Sequence, residues 1–276
     1  MSVIDPQHVA QILEECANKY VLPRYKQLQE HEIAAKSGPR DLVTQADIDV
    51  EAHLERVLPD LLPGSIVIGE EGISRGDMDI GILQDPSQTV WIVDPVDGTH
   101  NFVSGRREFG IMLACVIEGE TRHSWIYDIL GDAHYIAEKG EGAYRNGEKL
   151  EITEHRAPAE MTAHINYRYF PRDIQEQIRG AMSAFGESYS LSCAAHEYSR
   201  IATGQSDLAL YSRLKPWDHL PGALLVQEAG GYVAKWDERA YTPRDDYAGL
   251  IVASCEESWR KAFNIIFQGI DIKKYL

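Results

Sequence analysis

The chain has 276 residues, 44% of them hydrophobic and 25% charged, and its 43 Asp and Glu against 27 Lys and Arg set a formal net charge of −16. This length and apolar share provide a sizeable core within one subunit of two lobes and exclude an extended disordered chain. Strong acidity with no dense Lys/Arg block excludes nucleic acid and anionic membrane as natural partners, and an acidic protein that handles a phosphate ester needs bound cations to invert its local field.

Asp5 and Pro6 open the first predicted element as cap and first turn, and Val9, Ile12, Leu13, Cys16 and Tyr20 recur at helical spacing, so an amphipathic helix is expected over residues 5–23. The terminus before it lacks a signal-peptide layout, and no apolar run approaches about 18 residues, so a cytoplasmic protein is expected. The four cysteines, Cys16, Cys115, Cys193 and Cys255, lack metal-ligand spacing and read as reduced thiols. Residues 31–40, with Lys36, Ser37, Gly38 and Pro39, lack periodicity and are expected to form a mobile loop. Thr44-Gln-Ala-Asp47 resembles a capping box, followed by the apolar stripe of Val50, Leu54, Val57, Leu58 and Leu61. A short strand over 65–68 ends in Gly69-Glu70-Glu71-Gly72, and residues 76–87 read as a surface excursion.

Residues 90–93 form a short β-branched and aromatic run bounded by turn residues, which predicts a buried strand whose carboxyl end carries Asp94-Pro-Val-Asp97-Gly98-Thr99. Asp94 and Asp97 converge across a turn stiffened by Pro95 and tightened by Gly98, leaving the Val96 carbonyl free. Oxygen-only ligands of this kind suit Mg²⁺. Thr99 is expected as the N-cap of a following helical turn, aiming the amides of Gly98 and Thr99 outward as an anion site. A solvated surface turn is the bland alternative, but nothing structural calls for carboxylates directly after a buried strand.

Residues 109–117, 123–129 and 134–137 alternate apolar and polar, and Asn146-Gly147 is a hairpin signal, so antiparallel strands are expected to extend the sheet that carries Asp94. The first lobe is expected to span residues 1–152. The second, 153–276, alternates strands (162–165, 187–191, 208–211, near 232 and near 251) with helices (171–185, 194–202, 219–229, 257–267), an α/β pattern. Asp218, beside Trp217 at the head of an apolar helix, reads as a helix-capping acid that is also free to ligate a cation.

The run Trp91-Ile-Val-Asp94-Pro-Val-Asp97-Gly98-Thr99-His-Asn101-Phe102 resembles the signature of the inositol monophosphatase family. Three further motifs fall in that family's order: Asp41-Leu-Val-Thr44-Gln-Ala-Asp47, Gly69-Glu70-Glu71-Gly72, and Trp217-Asp218-His-Leu-Pro-Gly222 running into Gln227-Glu228-Ala229-Gly230-Gly231. The resemblance implies a layered α-β-α-β-α sandwich of the sugar-phosphatase type, with an N-terminal antiparallel-sheet lobe carrying most metal ligands and a C-terminal α/β lobe carrying Asp218. It also implies a lithium-sensitive, Mg²⁺-dependent phosphate monoesterase that works as a homodimer. Two or three Mg²⁺ per subunit would be held by Glu70, Asp94, Asp97, Asp218 and the Val96 carbonyl. By the same resemblance Glu70 bridges metals and acts as base, and Asp47 pairs with the Thr99 hydroxyl to orient a water. Asp97, Gly98, Thr99 and the Ala194 amide then meet substrate, and Lys36 lies near the metals.

One position departs from the pattern. Where the inositol-type members carry a glutamate for substrate hydroxyls, this chain has Tyr211, which leaves the phosphate machinery intact and alters pairing with a sugar-like alcohol. Histidinol phosphate, fructose 1,6-bisphosphate or a 3′-phosphoadenosine nucleotide are therefore alternatives to inositol 1-phosphate; His196 and Glu197, next to Ala194 at a helix start, are the candidates to face them, although a lone histidine on a helix is more often packed or solvated. A cation-binding regulatory protein that has kept the fold is the non-enzyme alternative.

Overall fold

The computed structural model describes residues 4–38, 41–245 and 247–276. Helix α1 (Pro6–Cys16) is capped by the Asp5 carboxylate, which accepts the Gln7 N–H, and a π-helical turn (Ala17–Val21) and a 3₁₀ turn (Leu22–Arg24) carry it to the expected length. The segment read as a loop is instead strand β1 (Ile33–Gly38), paired antiparallel with β2 (Asp41–Thr44). Its Ala, Lys, Ser and Gly have little strand preference of their own, so the ladder to β2, which no local pattern announces, fixes it. Pro39 and Arg40 of that expected loop, and Met1 to Val3 of the terminus, lie outside the described residues.

Helix α2 (Gln45–Leu61) starts in the expected capping box: Thr44 accepts the Ala46 N–H, and Asp47 reaches back to the Thr44 N–H. Strand β3 (Ile66–Gly69) runs directly into a short helix, α3 (Glu70–Arg75), so the paired glutamates sit at a helix start. A 3₁₀ turn (Ile80–Gln84) interrupts the surface excursion before β4 (Val90–Asp97), which is buried along its whole length and parallel to β3. A single helical turn, α4 (Thr99–Val103), separates it from β5 (Gly110–Ile117), β6 (Glu120–Asp128), β7 (Ala133–Glu138), β8 (Gly142–Arg145) and β9 (Glu148–Leu150). These continue the sheet antiparallel in chain order to seven strands. The β8–β9 hairpin turns on Asn146 and Gly147 with φ of 49° and 82°, the positive pair that a two-residue turn requires.

The remainder alternates β10 (Thr162–Ile165), α5 (Gln175–Ala181), β11 (Glu187–Tyr189), α6 (Ala194–Ala202), β12 (Leu208–Tyr211), α7 (Pro216–Glu228), β13 (Tyr232–Lys235), β14 (Leu250–Ala253) and α8 (Glu256–Ile266). Its five strands form a mixed sheet in the order β11-β10-β12-β14-β13. Two helices differ from expectation. Helix α5 is shorter, ending in a 3₁₀ turn (Met182–Ala184), and α7 begins at Pro216 rather than at residue 219, because proline has no N–H to lose in a first turn.

The two sheets and three helical layers stack as α-β-α-β-α. One face of the seven-stranded sheet, with Trp91, Val93, Ile111 and Leu113, packs on α1 and α2. The alternate residues Ile92, Met112 and Ala114 pack on α6 and α7, which also cover Ala209 and Val252 of the second sheet. The outer face of that sheet, with Leu210 and Ile251, packs on α5 and α8. The middle helices therefore touch both sheets, and α6 and α7 meet where Gly222 faces the Tyr198 ring. A Cβ on Gly222 would lie 2.1 Å from Tyr198 Cγ. The ring cannot swing aside, since it is fully buried and its hydroxyl is tied to His219 Nδ1 at 3.1 Å. Gly222→Ala is expected to cost about 2–3 kcal/mol by overpacking, seen as a lower Tm in thermal denaturation; an unchanged Tm would show that α6 and α7 separate freely.

Candidate metal centre

Strand β4 delivers the first carboxylates. It is flanked by β3 and β5 and buried on both faces, so its apolar run fixes register until Asp94, after which the pairing with β5 slips before resuming at Asp97 opposite Gly110. Such a bulge bends the strand and re-aims its side chains. The Val96 N–H folds back to Asp94 Oδ1 at 3.1 Å, and Gly98 takes φ +84° to end the strand. An added Cβ on Gly98 would lie 2.8 Å from the Glu108 carbonyl oxygen, so the turn is closed to other residues.

Glu70 heads α3 at the end of the neighbouring parallel strand, and Asp218 lies in the first turn of α7, the middle-layer helix. Carboxylate oxygens of Glu70, Asp94 and Asp218 come within 4.8 Å of one another. Asp218, more than a hundred residues further along the chain than Glu70 and Asp94, thus converges with them on one point. Asp97 stands beside this triplet, its Oδ2 accepting the Cys193 thiol at 2.9 Å and the Ala195 N–H at 2.6 Å. The amide that meets it belongs to the start of α6, next to Ala194, where a helix N-terminus favours negative charge.

The threonine and aspartate expected to pair do so. Thr99 Oγ1 lies 3.2 Å from Asp47 Oδ1 and 3.0 Å from the Val96 carbonyl oxygen. Two sequence expectations are corrected by this arrangement. Gly98, not Thr99, is the N-cap of α4, because Thr99 is already helical and its hydroxyl points to Asp47 and Val96 instead of capping. The Val96 carbonyl is not free, since it faces the Thr99 hydroxyl, although its second lone pair remains.

Lys36 reaches the centre from β1, its Nζ 2.5 Å from Glu70 Oε1 and 3.0 Å from Glu71 Oε1. Burial lowers the Lys36 pKa, but the two glutamates outweigh it and hold the ammonium above its ordinary range. Four residues that the sequence reading passes over or weighs only lightly complete the surroundings. Glu51 accepts the Glu71 and Gly72 N–H groups at 2.8 and 2.7 Å and so caps α3 from a distance. Glu71 shares Lys36, Cys193 holds Asp97, and Glu197 is buried on α6, its Oε1 accepting the Leu191 N–H at 2.8 Å. Glu51 was detectable, as it falls in the apolar register of Val50, Leu54 and Leu58, where a lone acid needs a partner.

Tyr211 ends β12 with its ring stacked 5.4 Å from that of Tyr198 and tilted against that of His219 at 4.6 Å. Its hydroxyl is buried beside the Glu197 carboxylate. Burial, and next the Glu197 charge, push its pKa well above the ordinary tyrosine value.

Electrostatics sharpen the picture. Burial, then the charges of Glu70, Asp97 and Asp218, raise Asp94 well above the usual carboxylate range. Asp218 is raised likewise by burial, then Glu70 and Asp97. Glu70 is raised by burial against the opposing pull of Lys36, and burial pushes Asp47 up to about 7 despite donors from Thr44. Buried acids that repel one another in this way are unfavourable unless a cation joins them. The donors are all oxygens, so a hard divalent cation such as Mg²⁺ fits the site, with Glu70, Asp94 and Asp218 at its centre.

The family model described as the inositol monophosphatase family matches residues 5–268. An inositol-1-monophosphatase of Bacillus subtilis is 31% identical over 86% of this chain and 91% of its own length. A fructose-1,6-bisphosphatase/inositol-1-monophosphatase of Thermotoga maritima is 30% identical over 73% of this chain and 74% of its own. Among solved structures, an IMPase of Thermotoga maritima superposes with a TM-score of 0.82 at 22% identity, covering 96% of this chain and 97% of that one.

Proposed function

The chain belongs to the inositol monophosphatase family and is thereby a phosphoric monoester hydrolase; we propose that its substrate is a small monoester of the inositol 1-phosphate type, hydrolysed with Mg²⁺ held by Glu70, Asp94, Asp97, Asp218 and the Val96 carbonyl. The observation that carries this reading is the meeting of Glu70, Asp94 and Asp218 within 4.8 Å. When bound there, two or three Mg²⁺ would neutralise phosphoryl oxygens and ease ionisation of the attacking water.

The chain's own residues do the rest. Glu70, whose pKa is raised, accepts the proton of the attacking water, and the Thr99 hydroxyl, held by Asp47, orients that water. The amides of Gly98 and Thr99 hold phosphate, and that of Ala194 meets the substrate. Placement and charge neutralisation, rather than covalent chemistry, are the protein's main contribution. Tyr211 and the adjacent Glu197 form the wall that meets the alcohol, where the family pattern implies a glutamate.

The two-function name of the Thermotoga maritima relative favours fructose 1,6-bisphosphate as the second reading. Phosphate release measured with Mg²⁺ and with EDTA over inositol 1-phosphate, histidinol phosphate, fructose 1,6-bisphosphate and a 3′-phosphoadenosine nucleotide tests both. The highest kcat/KM is expected on inositol 1-phosphate. A preference for another monoester moves the assignment to that substrate, and no Mg²⁺-dependent release from any of them leaves the regulatory alternative. The same reading extends to lithium inhibition and to a cytoplasmic homodimer. Among the described residues no helix is long and apolar enough to cross a membrane.

A further inference from the structure

We propose that the cleft between α6 and the turn joining β6 to β7 is a second anion-binding site, separate from the carboxylate cage, which takes a phosphate-bearing small molecule. The cleft encloses about 290 Å³, and Arg107, Arg145 and Arg200 reach its walls from the loop before β5, the end of β8 and the last turn of α6. Arg200 donates to the Tyr189 hydroxyl at 3.3 Å, and Arg145 lies over the Tyr135 ring at 5.7 Å. No carboxylate pairs with any of the three among the described residues, whereas Arg24, Arg75, Arg156, Arg239 and Arg260 each hold one. In a chain of net charge −16, three guanidinium groups without carboxylate partners around one cavity concentrate positive potential where the rest of the surface is negative.

The shape suits a tetrahedral oxyanion. Arginine forks match phosphate oxygens in pairs, and His196, Ser199, Arg200 and Thr203 line the cleft from one face of α6 at i, i+3, i+4 and i+7. The one carboxylate on the wall among the described residues, Asp128, is engaged within the protein: its Oδ1 accepts the Gly131 N–H at 2.9 Å and lies 3.5 Å from Nε2 of the buried His196. Three positive groups thus face one occupied negative group. Because the Ala195 amide that holds Asp97 lies in the first turn of α6, the cleft and the cage share a helix but not a wall.

Inorganic pyrophosphate and inorganic phosphate titrated calorimetrically into the full chain in EDTA test the site, since without divalent cations the cage of Glu70, Asp94 and Asp218 repels anions. Saturable binding is expected, tighter for pyrophosphate and weakened by added NaCl. The double variant Arg107→Gln/Arg145→Gln, at two exposed positions, should keep its circular dichroism and bind pyrophosphate at least tenfold more weakly. Arg122→Gln/Arg179→Gln, which makes the same charge change elsewhere, should bind as the parent does. Absence of saturable binding, or equal weakening in both double variants, overturns the proposal. So does a changed sedimenting mass in the first variant with pyrophosphate binding intact, which would give these arginines to a subunit interface. A second arm with Mg²⁺ separates the sources of the phosphate. A KM raised for fructose 1,6-bisphosphate alone makes the cleft a subsite for a substrate's second phosphate, and unchanged KM values beside lost pyrophosphate binding make its ligand a separate molecule.

Discussion

Asp94→Asn is expected to lower Mg²⁺-dependent turnover by about 10³-fold, a loss of roughly 4 kcal/mol in the barrier, while leaving the fold intact and making the metal-free protein more heat-stable than its parent. The two effects have one cause. Asp94 is 2% exposed and surrounded by Glu70, Asp97 and Asp218, whose charges, after burial itself, oppose its ionisation. An amide of the same shape keeps the Val96 N–H bond to Oδ1, so the bulge at the end of β4 survives. What it removes is a charge that is unfavourable alone and favourable only beside a cation. Initial rates on inositol 1-phosphate at saturating Mg²⁺, with Tm measured in EDTA, check both halves. Turnover within tenfold of the parent would remove Asp94 from the cage, and a lower Tm in EDTA would mean that its charge is balanced inside the protein.

Much of the site was legible before the structure because its chemistry violates local expectation. A buried β-branched strand that ends in two aspartates reads as carboxylates without a structural purpose, and the acids of the threonine capping box and of the head of an apolar helix can cap and still be free for other work. Nothing in the chain's own periodicity, however, says that they meet. The convergence depends on β3 and β4 lying parallel side by side, so that Glu70 and Asp94 emerge at the same sheet edge, and on α7 crossing between the sheets to bring Asp218 over them. Long-range pairing of this kind leaves no trace in a window of ten or twenty residues, and only the family resemblance anticipated it. The β1–β2 hairpin was lost for the same reason, since Ile33-Ala-Ala-Lys36 has neither alternation nor β-branched runs, and its partner strand supplies the order. The start of α7 was a different kind of error. Pro216 carried the first-turn signal, and the apolar periodicity beyond residue 219 drew the boundary too late. Neither correction moves a carboxylate out of the cage, but the first brings Lys36 into contact with Glu70.

Removing divalent metal is expected to destabilise the protein more at about pH 8 than at about pH 5.5, and the sign follows from the carboxyl groups. Asp94, Asp218 and Glu70 have folded-state pKa values raised above their ordinary ones, with burial the leading cause in each. In that interval the native chain binds more protons than the unfolded one, so stability falls as pH rises from the ordinary carboxylate range through the raised values. Each unit by which a carboxyl is raised removes about 1.4 kcal/mol at the alkaline end. Asp47, Glu51 and Glu197, each raised to about 7 by burial, add to the same decline. The Lys36 ammonium is held above its ordinary range, so its pairing with Glu70 persists across the interval and does not reverse the sign. Mg²⁺ competes with protons for the cage acids only, and binds the native state more tightly as they ionise. The difference in Tm between saturating Mg²⁺ and EDTA cancels the three acids outside the cage and isolates those within it. That difference should grow from pH 5.5 to pH 8 in the parent and shrink sharply at both in Asp94→Asn. A Mg²⁺ increment that is flat with pH, or largest in acid, would mean that the carboxyls of Glu70, Asp94 and Asp218 are not the groups that meet the cation.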